Sequence, residues 1–115
     1  MILSSAEFDR LFGTHATLMR DICQRIDGLE QVERIILFGS YAKGCSAEDS
    51  DVDLAVFFQG NQNQAKLLER YRQLTRICVN PEIDIQVQPF CADELRKPCG
   101  IVEEITMYGI ELNAK

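Results

Sequence analysis

The sequence predicts a mixed α and β fold in which a small mixed β-sheet is flanked by helices. Apolar residues recur at helical spacing over residues 5–27 and 65–79, whereas shorter apolar or alternating runs occupy residues 34–38, 51–58 and 82–87. This order of segments is typical of a sheet covered by helices. Because 115 residues with 46% hydrophobic composition suffice for one core, we expect a single domain over residues 1–115.

The first helical segment is predicted over residues 5–27. Ser4 or Ser5 is a suitable N-terminal cap, and Gly28 is a suitable stop. The second helix is predicted over residues 65–79, where the following Asn80-Pro81 pair would end it.

Two buried strands are predicted in the first half of the chain. Residues 34–38 form a short apolar run that is rich in branched side chains and ends at Gly39, as in a strand that enters a turn. Residues 51–58 read DVDLAVFF, which favours a second buried strand with an acidic first end.

A third strand is predicted at residues 82–87, where polar and apolar residues alternate. Ile83, Ile85 and Val87 would share the core face, and Asp84 would lie on the polar face. Beyond Pro89, two short helices near residues 92–96 and 101–108 and a small edge strand at 110–112 complete the prediction.

Composition excludes several classes of protein. No apolar run approaches the roughly 20 residues of a membrane-spanning helix, and the first ten residues carry Glu7 and Asp9 where a secretory signal carries positive charge. The five cysteines are odd in number and form no CxxC pair, which indicates neither a disulfide framework nor a structural zinc site. We therefore expect a soluble, unprocessed protein in a reducing cytoplasm.

The charge balance bears on the kind of ligand. A net charge of −6 and a pI near 4.7 argue against a long nucleic-acid footprint, because such surfaces need clustered lysine and arginine. A single nucleotide held through metal ions is compatible with this balance.

An acidic pair opens the second predicted strand. Asp51 and Asp53 are two residues apart, so their carboxylates would emerge on one face, near Glu48 and Asp49 of the preceding loop. Such crowding is unfavourable without a cation, and Mg²⁺ binds through one or two carboxylates together with phosphate oxygens. The alternative for an isolated Asp-x-Asp is a pair of solvated turn residues.

The segment LFGSYAKG, residues 37–44, precedes this pair and has the features of a phosphate-binding turn. Gly39 permits close approach of the backbone to a ligand, Ser40 supplies a donor, and Lys43 is within reach of a phosphate. Tyr41 could stack on a base or be modified, or it could pack beneath the loop.

Together these residues resemble a known family. Gly39-Ser40, ten residues, and then Asp51-Val52-Asp53 is similar to the signature of the nucleotidyltransferase superfamily that shares the DNA polymerase β-like fold. In that family a third carboxylate comes from a later strand, and Asp84 stands at the matching position. The short chain resembles the minimal nucleotidyltransferases, which lack an acceptor-binding domain.

The resemblance implies a reaction and a set of ligands. Asp51, Asp53 and Asp84 would be catalytic metal ligands for two Mg²⁺ ions, while Gly39, Ser40 and Lys43 would bind the phosphates of ATP. Minimal nucleotidyltransferases are paired with small helical HEPN proteins, so the implied activity is transfer of AMP to a tyrosine of such a toxin by its antitoxin.

Two alternatives stay open at this point. The chain could be the catalytic subunit of a two-chain transferase for a small hydroxylated molecule, which differs from the first reading only in the acceptor. It could also be an antitoxin that binds nucleotide or partner without turnover, although three carboxylates directed at one site are not needed for contact alone. No membrane partner is expected.

Overall fold

The computed structural model describes residues 3–43 and 51–112 of the chain. Four strands form one mixed sheet: β1 (Val32–Phe38), β2 (Val52–Phe58), β3 (Ile85–Cys91) and β4 (Ile110–Glu111). The helices are α1 (Ser5–Phe12), α2 (Ala16–Asp27), α3 (Gly39–Ala42), α4 (Gln64–Cys78) and α5 (Ile101–Tyr108). Short 3₁₀ turns lie at Gly13–His15 and Ala92–Leu95. The mixed sheet with flanking helices confirms the predicted fold class.

The strands lie in the order β3, β2, β1, β4. The central strands β1 and β2 are antiparallel, β4 is antiparallel to β1, and β3 is parallel to β2. A parallel neighbour needs a crossover connection, and α4 supplies it between β2 and β3. Because β1 is antiparallel to β2, the end of the sheet where β2 and β3 begin is also the end where β1 runs into α3.

Alternation along the central strands gives the sheet two buried faces. On one face α1, α2 and α4 cover the sheet, and fully buried side chains such as Leu37, Leu54 and Leu74 meet there. On the other face, a smaller cluster joins Phe38 and Phe57 of the sheet to α5. Burial of each such side chain contributes about 1.5 to 3 kcal/mol, so the site-bearing strands are anchored from both sides.

The predicted single helix over residues 5–27 is wrong in one respect, because it is broken into α1 and α2. Gly13 has φ +56° and ends α1, and a 3₁₀ turn leads into α2. A residue in this conformation cannot continue an α-helix, and the redirected chain buries both Phe12 and Met19. The cap was predicted correctly, since Ser4 accepts from the Glu7 N–H and Glu7 accepts from the Ser4 N–H in a capping box.

The third strand was also misplaced, since it spans Ile85–Cys91 instead of residues 82–87. Asn80 Oδ1 accepts hydrogen bonds from the N–H groups of Glu82 and Ile83, each 2.8 Å long, and this turn delays the start of the strand. The strand continues through Pro89, which an outer strand tolerates because its missing N–H faces away from the sheet. Asp84 therefore lies just before β3.

The other elements agree with the prediction to within a few residues. The strand predicted at residues 34–38 begins two residues earlier, and the strand predicted from Asp51 begins at Val52. Asn63 caps α4 through a hydrogen bond from Lys66 N, and α5 covers the predicted residues 101–108. None of the helices within the two described ranges is long and apolar enough to cross a lipid bilayer.

Cys23, Cys78, Cys91 and Cys99 are free thiols, and Cys45 lies outside the described residues. Burial raises the pKa of Cys23 to about 12 and that of Cys78 to about 11. Because the thiolate is the reactive form, these two buried side chains act as core residues.

Candidate functional site

The site begins where β1 ends and the chain turns sharply into α3. Gly39 occupies this turn with φ +76° and lies directly against a carboxylate of the next strand. A Cβ atom at position 39 would come 2.5 Å from Asp53 Oδ2 and 3.3 Å from its Cγ. Both the backbone conformation and the close approach therefore require glycine here.

Asp53 occupies the centre of this end of the sheet. It lies opposite Phe38 in the antiparallel pairing with β1 and opposite Gln86 in the parallel pairing with β3. Its side chain is half-buried, whereas Asp51 is exposed. Partial burial and then the negative charge of Asp51 raise the pKa of Asp53. Two like charges held together in this way favour a compensating cation.

Asp84 reaches the same end of the sheet through the parallel pairing of β2 with β3. Its carbonyl oxygen accepts a hydrogen bond of 2.9 Å from Val52 N, which continues the register one step beyond the paired residues. Asp84 is exposed, and its Oδ2 accepts from Gln86 Nε2 at 3.3 Å. Asp84, like Asp51, therefore lies one residue before the first pair of the β2–β3 register.

The three predicted carboxylates thus lie at one end of the sheet, but the contact between them is unequal. Asp51 and Asp53 interact electrostatically. Within residues 3–43 and 51–112, no three His, Cys, Asp or Glu side chains lie close enough together to hold a metal ion as one group. Glu48 and Asp49, predicted to add charge here, lie outside the described residues. The three-carboxylate metal site stays a prediction.

Lys43, predicted to contact phosphate, is held by α5. Its Nζ donates to Glu104 Oε1 at 2.9 Å and lies 5.1 Å from the centroid of the Tyr108 ring. The side chains of Lys43 and Glu104 are 41% and 42% exposed, so the ion pair contributes at most about 1 kcal/mol. A phosphate would have to compete with Glu104 and Tyr108 for Lys43.

The two residues that follow Gly39 have different environments. Ser40 is exposed at the first turn of α3, as a phosphate donor requires. Tyr41 is buried and stacks on Phe12 with ring centroids 5.5 Å apart. Of the interpretations of Tyr41, a packed aromatic side chain is the one that fits this burial, while residues 44–50 of the loop lie outside the described residues.

Sequence reasoning did not assign two residues that contact the site. Gln86 donates a hydrogen bond to the Asp84 carboxylate. It lies two residues after Asp84 on the same face of the alternating segment, and this spacing could have identified it. Glu104 holds Lys43 from 61 residues away, and no local pattern in the sequence reveals that contact.

The chain is similar to known proteins over most of its length, including this end of the sheet. Residues 20–109 match the profile of the family described as polymerase beta, nucleotidyltransferase. A protein of Methanocaldococcus jannaschii, named as a proposed protein adenylyltransferase, is 28% identical over 85 residues, which cover 72% of this chain and 81% of the relative.

Solved structures show the same fold. A proposed nucleotidyltransferase from Sulfolobus solfataricus superposes with a TM-score of 0.62 at 18% identity, over 95% of this chain and 86% of that chain. A toxin–antitoxin structure with AMP-PNP superposes with a TM-score of 0.55 at 21% identity, over 84% and 73%. A mutant of the MntA–HpeT toxin–antitoxin gives 0.51 at 20% identity, over 86% and 72%.

Proposed function

Since the chain belongs to the polymerase β family of nucleotidyltransferases, we propose that it transfers AMP from ATP to a hydroxyl group of a partner protein. The observation that carries the proposal is the approach of the Gly39 backbone to Asp53, beside Asp51. This arrangement suits a nucleoside triphosphate whose phosphates meet a backbone turn on one side and a cation-binding pair on the other. The name of the Methanocaldococcus jannaschii relative supports AMP as the transferred group.

The proposed partner is a small helical toxin of the HEPN type, and the proposed acceptor is one of its tyrosines. Two structures with this fold are described as toxin–antitoxin assemblies, one of them with AMP-PNP, which supports both the nucleotide and the toxin. On this proposal the chain is the antitoxin, and modification of the toxin is its means of neutralisation.

The residues at this end of the sheet fit Mg²⁺ as the resident cofactor. The paired carboxylates Asp51 and Asp53 are oxygen ligands of the kind that Mg²⁺ prefers, and phosphate oxygens would complete the coordination. Asp51 and Asp53 would hold two ions, and Asp84 would complete one of the sites. When bound, the metal supplies charge neutralisation for the triphosphate and orients the α-phosphorus.

The chain's own groups then account for the transfer. The exposed turn at Gly39 and the Ser40 hydroxyl bind the β and γ phosphates, with Lys43 as an additional positive charge. Asp84 accepts the proton of the acceptor hydroxyl, whose oxygen forms a bond to the α-phosphorus as the bond to pyrophosphate breaks. An acidic protein can thus bind a polyanion without an arginine cluster.

The test of this function is an incubation of the purified chain with Mg²⁺, α-phosphate-labelled ATP and a co-expressed helical toxin partner. We expect label on the partner and a mass gain of one or more AMP units, both absent with Asp51→Asn. Label on no protein would exclude protein adenylylation and direct the search to small hydroxylated acceptors. Failure to bind ATP at all would favour a module that acts by contact only.

Asp84→Asn separates nucleotide binding from turnover. Because Asp84 is exposed and its carboxylate accepts a hydrogen bond from the exposed Gln86, we expect the variant to fold and to bind ATP with nearly unchanged affinity. Loss of a proton acceptor should lower the rate of AMP transfer by about a hundredfold or more. Single-turnover kinetics at saturating ATP measure this, and a rate within about threefold of wild type would remove Asp84 from the mechanism.

A further inference from the structure

A cavity of about 510 Å³ opens beside Asp84, beneath the connection between α4 and β3. Its wall includes the apolar side chains of Val79, Pro81 and Ile83 and the carboxylate-bearing residues Glu82 and Asp84. Val79 is 78% exposed, so its side chain lies at the rim of the cavity. Because Asp84 is among the lining residues, one end of the cavity adjoins the proposed reaction centre.

The charge of this cavity argues against a phosphate group as its occupant. No lysine, arginine or histidine is among the described residues that line it. The N–H groups of Glu82 and Ile83 already donate to Asn80 Oδ1, so they offer no hydrogen bond to a phosphate. The carboxylate of Glu82 favours a positively charged ligand group here.

The cavity wall is fixed in position by two contacts. Asn80 closes the turn of the connection through its hydrogen bonds to the backbone. His15, which does not line the cavity, holds Glu82 through a hydrogen bond of 2.7 Å between Nδ1 and Oε2. A preformed wall lowers the entropic cost of binding an acceptor.

The neighbouring strand edge indicates a polypeptide occupant. In the sheet β3 is an outer strand, with β2 on its inner side. Because the carbonyl of Asp84 points inward to Val52 N, the backbone of Ile85 is directed outward, where an extended segment can add to the sheet. Pro89 limits this edge to the first half of β3, which is the half beside Asp84.

We infer that this cavity binds an extended acceptor segment in which the reactive hydroxyl is flanked by a lysine or arginine. The inference rests on the proposed function and names the substrate class for it. The outer edge of β3 aligns the segment, the apolar wall takes a side chain next to the acceptor, and Glu82 attracts the basic group. Selection of the acceptor is then a property of this chain as well as of its partner.

Peptide binding tests this inference without any need for turnover. The probes are two fluorescein-labelled tyrosine peptides of equal length, one with lysine and arginine around the tyrosine and the other with glutamates. Fluorescence anisotropy with the full chain should show binding of the basic peptide only. Val79→Lys should weaken that binding by about tenfold or more, because it places a like charge at the cavity rim. Leu68→Lys, an equivalent change at a 51% exposed position of α4, is the matched control and should have little effect.

The outcomes separate the cavity from the reaction. No binding of the basic peptide, equal binding of both peptides, or equal effects of Val79→Lys and Leu68→Lys would overturn the inference. Selective binding that Val79→Lys alone disrupts would support the inference. If ATP and Mg²⁺ then produced no transfer to the peptide or to a toxin, that result would count against the proposed function only. Circular dichroism of both variants confirms that loss of binding is not loss of fold.

Discussion

Asp53→Asn is expected to lower AMP transfer by about a thousandfold or more and to raise the melting temperature of the metal-free protein at neutral pH. On the proposed mechanism, AMP transfer falls because the substituted amide would be a poor ligand for Mg²⁺. The melting temperature rises because Asp53 is half-buried beside Asp51, and both its burial and that neighbouring charge disfavour its ionised form. Activity and stability should therefore move in opposite directions.

The stability effect has a defined pH dependence. The folded-state pKa of Asp53 is raised above the ordinary value of 3.8, so the folded protein holds this proton more tightly than the unfolded chain does. The stability that the protonated carboxyl contributes is complete below the unfolded pKa and is lost as pH rises through the folded pKa. We expect the variant to melt above wild type at pH 7, and the difference to vanish near pH 3.

Differential scanning calorimetry with and without Mg²⁺ measures both effects. The ion should stabilise wild type and leave Asp53→Asn nearly unchanged. Asp93→Asn changes a carboxylate that is 74% exposed outside the site and serves as the control, with melting temperature and transfer close to wild type. A variant that melts below wild type at neutral pH would show that Asp53 has a structural role which outweighs its electrostatic cost.

Gly39→Ala should abolish most of the activity through a single added methyl group. The Cβ would come within 2.5 Å of Asp53 Oδ2, so the carboxylate or the turn must shift, and a displacement of this size at a reacting centre costs about a hundredfold. The positive φ of +76° adds a cost to stability of about 1 to 2 kcal/mol.

Gly13→Ala provides a matched control for that substitution. Gly13 also has a positive φ, +56°, but nothing lies within 4 Å of a Cβ built there. Both variants should lose stability in chemical denaturation, whereas only Gly39→Ala should lose transfer. Equal transfer by the two variants would show that the approach of residue 39 to Asp53 has no part in the reaction.

The sequence predicted those elements whose signals are local. Alternating or continuous apolar runs placed β1 and β2, and the Gly39-Ser40 to Asp53 spacing placed the site at the junction of β1 with α3. The N-cap at Ser4 and the C-cap at Gly28 were also predicted correctly, because a cap acts within one turn of helix. The fold class followed from the order of these elements.

The errors have physical causes that are not local. The periodicity of residues 5–27 fits one helix, but burial of Phe12 and Met19 against the same sheet is achieved with a break at Gly13. The position of Pro89 inside β3 is acceptable only because β3 is an outer strand, which depends on the completed sheet. The Lys43 to Glu104 ion pair joins residues that no short window contains.

The parallel pairing of β2 with β3 has a consequence for the order in which the chain gains function as it folds. Gly39, Asp51 and Asp53 come from two antiparallel neighbours joined by a short connection, so this part can form from nearby contacts. Asp84 joins only when the α4 crossover has docked and β3 has found its register against β2. On the proposed function, we expect the nucleotide-binding half of the site to form before the acceptor half during refolding, so that catalysis appears last.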